Sequence, residues 1–515
     1  MAAAAGLDAS SLRHLPLEVL LRITDNLNTV DLGSLRLTCR AIEGFLDSSF
    51  VAEFFTRKQF MLTSFSLNAL VDISKSRLGS HLRFLHIGLD VIPANAIHRH
   101  SDDTTELALA RQRTYNDLVA TQSSFRTAGA ARDLLATAML NLPNLEGIII
   151  RDYNSRRRRR DGFMAEWKSY GNVTFYQQTG THPHFGTDFY SPWPQMLPAG
   201  EAFQHILHAC VKSGARPKAI EAITHRSHLN GVAFSMPPVV FDATPVIENL
   251  QKFHLSFKPE RLAAKDQPVQ TGHYDYLLYE FLAKAKNLVD LRVNQESRRG
   301  LPENDAVDYL LEWLIQAVSL KTAGKEPILP KLRHLSIGRF MVRDEMLLSF
   351  IRAFPALEGL ELWRLNIYHV YESTNLEIPK ESYWPRFLKG LRQSPNLASL
   401  RHFKADMMNQ SAMSGSQGGP PGSACRVKTA DGGGLEYTGP DFAKYLEEQE
   451  KGITVDYGVD YGRREGELTV LESFLVADFD EEIGYAAFGA HMMPESESDD
   501  EDMIDDDDDD GNDEV

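Results

Sequence analysis

The first apolar pattern in the chain is the stretch LRHLPLEVLLRITDNL at residues 12–27. Leu15, Val19, Ile23 and Leu27 recur every fourth residue, with Leu20 beside them. At about 100° per residue they form one broad helical stripe. Leu17 and Leu21 fall outside it and form a second, narrower patch. Pro16 suits the first turn of this helix, where its missing N–H costs nothing. Glu18 follows, where the helix dipole favours a negative charge. Two apolar patches on one short helix need two surfaces to bury them. Either one core takes both, or one patch faces inward and the other a partner protein. Asp31 suits the start of a second short helix, with Leu32 and Leu35 as its apolar side. A third helix begins near Thr38 and runs through Ile42, Phe45 and Leu46 towards Phe50 and Phe54. The three make a module too small to be comfortable alone.

A different pattern fills the middle of the chain. LPNLEGIII (142–150), IENLQKFHLSF (247–257), AKNLVDLRV (285–293), LPKLRHLSIGRF (329–340), FPALEGLELWRL (354–365) and SPNLASLRHF (394–403) share a Leu-x-x-Leu-x-Leu core. SHLRFLHIGLD (80–90) and RPKAIEAITHR (216–226) are degenerate copies. The alternation predicts short strands with one side turned to a core, and a preceding Pro or Asn marks the turn. Helical periods precede several copies, at 307–320 and 344–354. From Leu250 the anchor leucines fall at 288, 332, 357 and 397. A helix, turn and strand repeated in this way is the pattern of a solenoid. The alternative is an ordinary α/β domain with leucine-rich strands.

The N-terminal module resembles an F-box through Leu15, Pro16, Glu18, Val19, Ile23 and Leu27, then Asp31, Leu32, Leu35, Leu37, Cys39 and Arg40. It departs at Ile42, where many family members carry tryptophan, and Phe50, Phe54 and Phe55 are candidates for the missing aromatic bulk. The resemblance implies docking on a Skp-type adaptor and, through it, a cullin. The adaptor-contacting set it implies is Leu15, Pro16, Leu17, Glu18, Val19, Leu20, Leu21, Ile23, Leu27, Asp31 and Leu32. The middle of the chain resembles the irregular leucine-rich repeats found behind the F-box in many eukaryotic, notably fungal, F-box proteins. Its spacing is looser than in a regular repeat, and it has no steady Asn or Cys ladder position.

The net charge of −17 sits almost wholly in one place. Residues 495–515 carry 14 acidic side chains and no basic one, which leaves −3 for the rest. Such a run repels itself and is expected to be disordered. Ser496 and Ser498 each have an acid three residues on, as acid-directed kinases favour. The N-terminus has no basic segment followed by an apolar run, so no signal peptide is expected. No stretch reaches 18 apolar residues, so no membrane span is expected. Three cysteines at unrelated spacings, Cys39, Cys210 and Cys425, point to a reducing compartment, cytoplasmic and/or nuclear. The Asn-x-Ser/Thr sites at Asn172 and Asn409 then carry no meaning.

Long insertions near 91–130 and 151–200 interrupt the repeats. The first carries His98 and His100; the second holds five arginines, Arg156 to Arg160. The arginines read as a solvated loop, with nuclear import, an acidic partner or the chain's own tail as alternatives. Aromatics follow, and Phe185, Phe189, Tyr190 and Trp193 are candidates for substrate contact, unless they pack back onto the solenoid.

No catalytic constellation emerges. SGSQG at 414–418 is one residue off a nucleophile elbow and lies in a Gly/Ser/Pro stretch. His182 and His184 lack the companions of a zinc site. No phosphate-binding or dinucleotide-binding glycine motif occurs, so no cofactor is expected. The expected architecture is α/β: a flexible N-terminus (1–10), a three-helix F-box (11–58), an irregular leucine-rich-repeat-like solenoid (59–408), a linker (409–434), a segment that closes the last repeat (435–493) and a disordered acidic tail (494–515). The expected function is the non-catalytic substrate-recognition subunit of a cullin-based ubiquitin ligase. The Skp-type adaptor and an unknown protein substrate are its partners, with neither membrane nor nucleic acid. The alternative is a leucine-rich scaffold or regulatory adaptor that does not direct degradation.

Overall fold

The computed structural model describes residues 12, 15–90, 92, 105–154, 159–162, 165–185, 197–236, 241–258, 275–295, 328–354, 356–371, 382–394, 399–414, 425–430 and 432–456. The chain opens with helices α1 (Leu17–Asp25), α2 (Thr29–Leu37) and α3 (Arg40–Phe54). Only Phe55 and Thr56 separate α3 from the first strand, β1 (Arg57–Met61).

Then strands recur in order: β2 (Phe84–Gly88), β3 (Gly147–Arg151), β4 (Ala219–Ile223), β5 (Lys252–Phe257), β6 (Asp290–Gln295), β7 (His334–Gly338), β9 (Gly359–Trp363) and β11 (His402–Asp406). With β1 they form one parallel sheet in which chain order is spatial order, and β14 (Leu435–Thr438) closes it antiparallel to β11. A second sheet pairs β8 (Met341–Arg343), β10 (Asn366–Tyr371) and β12 (Asn409–Ser414) in parallel, then β13 (Cys425–Lys428) and β15 (Thr454–Asp456) antiparallel.

Helices precede the strands as the periodicity predicts. They are α4 (Ser64–Lys75), α5 (Glu106–Thr127), α6 (Ala130–Leu140), α7 (Asn172–Thr179), α8 (Pro198–Ser213), α9 (Thr244–Ile247), α10 (Asp275–Lys284), α11 (Asp344–Arg352) and α12 (Tyr383–Arg392), with α13 (Phe442–Gly452) near the end. The expected helix at 307–320 lies outside the described residues. No described helix is long and apolar enough to cross a membrane.

The Leu-x-x-Leu-x-Leu pattern becomes two rows of core. In register, Leu85, Ile148, Ile220, Phe253, Leu291, Leu335, Leu360 and Phe403 form one row, all buried. Two residues on, Ile87, Ile150, Ala222, Leu255, Val293, Ile337, Leu362 and Ala405 form the other. Each fully buried leucine or isoleucine contributes about 1.5–3 kcal/mol. The anchor leucines sit three residues before the first row and are buried at Leu250, Leu288, Leu332 and Leu357. The last anchor is Leu400 rather than Leu397, because the strand begins at His402. SPNLASL offers two leucines three apart, and pattern alone does not choose between them.

A backbone device repeats with the strands. The carbonyl of the residue just before or near each strand start accepts two N–H groups from the next unit. Thr56 takes those of Arg83 and Phe84, Glu146 those of Lys218 and Ala219, and Arg333 those of Glu358 and Gly359. The spacing between these positions runs from 25 residues (Arg333 to Glu358) to 72 (Glu146 to Lys218). Insertions of very different length therefore leave the strand register unbroken.

In the last three units the chain turns a corner into the second sheet at Arg339, Arg364 and Met407, each with positive φ (63°, 48° and 50°). The Arg339 N–H meets the Trp363 carbonyl at 2.7 Å, and the Arg364 N–H meets that of Asp406 at 3.0 Å. Two parts of the expected linker are therefore strands: 409–414 extends the β10 register and 425–428 returns against it. Their composition suggested a linker, but pairing to a neighbouring strand satisfies the backbone whatever the side chains are. Residues 415–424, the SGSQG stretch beyond Ser414, and the acidic tail lie outside the described residues.

Left-handed geometry costs an L-residue about 1–2 kcal/mol. Met407→Val should lower stability by more than about 1 kcal/mol, because a β-branched side chain tolerates positive φ worst. Met407→Gly should stay within about 0.5 kcal/mol of wild type or exceed it. Thermal unfolding of the two variants checks this, and equal losses would contradict the corner geometry.

Candidate protein-docking surfaces

The N-terminal helices have a small core of their own. Leu20, Leu32, Ile42, Leu46 and Phe54 are buried together, with Leu21, Leu27, Leu35, Cys39, Phe50 and Phe55 packed around them. Asn28 caps α2 by accepting the Asp31 N–H at 2.8 Å. Pro16 is the N-cap of α1 rather than part of its first turn.

The inward face of α1 is Leu20, Leu21, Thr24 and Leu27. The broad stripe read from the sequence is split: Leu20 and Leu27 face inward, while Val19 and Ile23 point outward together with Leu17 of the narrower patch. Val19 is 43 % exposed, Ile23 38 % and Leu17 45 %, and Pro16, Glu18 and Asp31 are exposed as well. Leu15 is partly covered. Leu12, Val30 and Leu37 add to the outward apolar surface. Leu20 and Leu32 therefore cannot be contact residues, because both are buried in the module's core. Leu21 and Leu27 pack against that core. With two apolar faces of similar strength, periodicity could not say which was inner.

Ile42 is buried where a larger side chain was expected. Aromatic bulk comes from Phe50 and Phe54, whose rings lie 4.8 Å apart, and from a residue far along the chain. Trp167 stacks on Phe54 at 5.8 Å with an interplanar angle of 21°. Nothing in the sequence around Trp167 pointed to this partner.

Residues 12–51 match the F-box-like family. They form an F-box-like domain. No curated protein matches the chain. F-box domains generally bind Skp-type adaptors and serve as non-catalytic adaptors of ubiquitin ligases. The outward apolar surface of α1 lies within the matched residues.

The sheet has a second face, whose side chains from Gln59 to Ser336 are buried. Its residues alternate, so the face opposite the helices carries the intervening positions. One register row there reads Gln59, His86, Ile149, Glu221, His254, Arg292, Ser336, Glu361 and Lys404. The row two positions earlier includes Lys252, Asp290, His334 and His402. Glu221 accepts from Lys252 Nζ at 3.2 Å and lies 3.4 Å from His254 Nδ1, while His254 Nε2 meets Asp290 at 3.0 Å. Further along, His402 sits 3.5 Å from Glu361, and Lys404 pairs with Glu436 at 2.7 Å.

The buried group is balanced only when His254 is charged: Lys252 and imidazolium then match the two carboxylates. Burial pulls the imidazole down, but Asp290 and Glu221 outweigh it, and its pKa lies above the ordinary value. Burial pushes the Glu221 carboxyl up, yet Lys252 and His254 hold it far below its usual range. His86 lies well below the imidazole norm, through burial and the nearby Arg151 and Arg57.

Phe185 is half-buried, and its carbonyl accepts from Arg226 Nη1 at 2.6 Å. Phe189, Tyr190 and Trp193 lie outside the described residues, as do His98 and His100. Among the described residues of that insertion the exposed aromatics are Tyr170 and Tyr176; Tyr170 stacks on Phe65, and Tyr176 on His182. Among the described residues no group of three or more His, Cys, Asp or Glu is placed to hold a metal ion. Cys210 is buried, its thiol pushed up to about 12, so it is no nucleophile at neutral pH. Asn172 is also buried, donating to Asp90 at 2.9 Å.

The raised pKa of His254 fixes the sign of a pH effect. Its contribution is complete below the unfolded value of 6.5 and is lost as pH rises through the higher folded value. Chemical denaturation should show the largest stability gap between wild type and His254→Gln near pH 6, narrowing by about pH 9. A gap that widens with pH would contradict the charge arrangement.

Proposed function

We propose that this chain is the substrate-recognition subunit of a cullin-based ubiquitin ligase. The F-box-like domain docks a Skp-type adaptor through Leu15, Pro16, Leu17, Glu18, Val19, Ile23 and Asp31, and the adaptor brings the cullin. The observation that carries this reading is the outward apolar face of α1, where Leu17, Val19 and Ile23 are each more than a third exposed although the same helix buries Leu20 and Thr24 completely or nearly so. A helix that fills its own core and still shows a second apolar face is built to be covered.

The ordered sheet is, in this reading, an irregular leucine-rich-repeat solenoid. The two apolar rows, the repeated doubly accepting carbonyls and the repeated corners support it. The repeat domain takes a protein target. Ubiquitin transfer then follows from proximity, since holding two reactants together raises their effective concentration. The chain supplies specificity and makes or breaks no bond.

The test is Leu17→Asp with Ile23→Asp in the full chain, measured for binding to a Skp-type adaptor. Both positions are exposed, so the fold should persist. Affinity should fall by at least about thirtyfold, the loss expected when hot-spot contacts worth about 2 kcal/mol go. Retained affinity would remove α1 as the docking face. Leu20→Ala should instead unfold the domain, costing about 2–5 kcal/mol.

A further inference from the structure

The arginine run ends in a built contact. Arg160 meets Glu53 of α3 through two parallel hydrogen bonds, Nε to Oε1 at 2.9 Å and Nη2 to Oε2 at 2.8 Å. Its Nη1 donates to the Leu27 carbonyl at 2.9 Å and to that of Thr24. These carbonyls stand at and just beyond the C-terminus of α1, where a cation is favoured. The next residue does the converse. Asp161 accepts the Thr29 backbone N–H at 2.6 Å and its hydroxyl at 2.7 Å, at the first residue of α2, where an anion is favoured. Trp167 then stacks on Phe54 of α3. Three side chains of one insertion thus touch all three helices of the F-box-like domain. Arg160 is 11 % exposed, so it is not part of a solvated loop. Arg156, Arg157 and Arg158 lie outside the described residues.

The same segment is wired into the sheet. The Tyr170 N–H donates to the Gln59 carbonyl of β1 at 2.8 Å, and Tyr170 bridges to Phe60. Ser66 donates to the Tyr170 carbonyl at 2.8 Å, Gln59 donates to Ser169 at 2.8 Å, and Ser169 and Asn172 both donate to the buried Asp90. The direct covalent link between domain and sheet is only Phe55–Thr56. The ion pairs of Arg77 with Asp47 and Glu43 near this junction hold an arginine that is more than half exposed, and such pairs contribute little.

We propose that Arg160, Asp161, Trp167 and Tyr170 form a strap that fixes the F-box-like domain in one orientation on the sheet, so that an adaptor and a target are held at a set geometry. The target and adaptor in that sentence rest on the function proposed above; the strap itself does not. Arg160 and Asp161 are positioning residues. They lie on the helix ends, away from the outward side chains of α1, and their removal leaves that face intact.

The test is a distance distribution between spin labels in the full chain, one at Arg22→Cys on α1 and one at Thr137→Cys on α6, with Cys39 and Cys425 changed to serine. Wild type should give one narrow distribution. Arg160→Ala with Asp161→Ala should broaden or split it, while hydrogen exchange shows α1–α3 still folded. If the double variant unfolds those helices, Arg160→Lys is measured instead; it keeps the charge but loses the fork to Glu53 and should also broaden the distribution. A narrow distribution in a folded strap variant overturns the proposal. In parallel, adaptor affinity should stay within about threefold of wild type, a difference under 1 kcal/mol. Wild type that binds no adaptor sinks the ligase reading, while the distances still decide the strap.

Discussion

The structure depends on one backbone arrangement. Near the start of each strand, a carbonyl accepts two N–H groups from the next unit, and the strands that follow fall into a shared register. Once that register is set, alternation does the rest. Two positions per strand meet the helices and build the core, and the positions between them make a second, largely buried row that is polar except at Ile149. Because each unit contacts mainly its neighbours, the segments between strands are free to vary. This explains how 72 residues can separate two such positions in one place and 25 in another without a break in the sheet.

The F-box-like domain is attached to the first strand of this array by two residues and by a segment that returns from beyond the third strand. A long excursion after the third strand thereby packs Trp167 against the F-box-like domain's core. Arg160 and Asp161 cap opposite ends of successive helices, and Trp167 adds an aromatic ring against Phe54 of α3. The polar face, by contrast, is assembled from within. Lys252, Glu221, His254 and Asp290 neutralise one another, so charge is buried there without leaving one group alone.

Much of this was legible in the chain. The Leu-x-x-Leu-x-Leu runs gave the strands, because apolar alternation is enforced by burial against helices. The N-terminal helices were legible for the same reason. What was not legible was which apolar face of α1 points in. Both patches are split: of the broad stripe Val19 and Ile23 are exposed while Leu20 and Leu27 turn inward, and of the narrower patch Leu17 is exposed while Leu21 turns inward. A partner-binding face and a core face look alike in a sequence. The polar row was readable in principle, as the residues between the leucines, such as His254 in FHLSF. The role of Arg160 was not, since its partners Glu53, Leu27 and Asp161's partner Thr29 lie more than a hundred residues away. Strands at 409–414 and 425–428 were hidden by linker-like composition, because main-chain pairing leaves little mark on side chains.

The central claim is that the outward face of α1, and not the sheet, receives the adaptor. Hydrogen exchange of the full chain with and without a Skp-type adaptor tests it most directly. The account predicts added protection confined to residues 12–37, with the strands from Phe84 to Asp406 unchanged. Protection on the strands, or none anywhere at saturating adaptor, would contradict it.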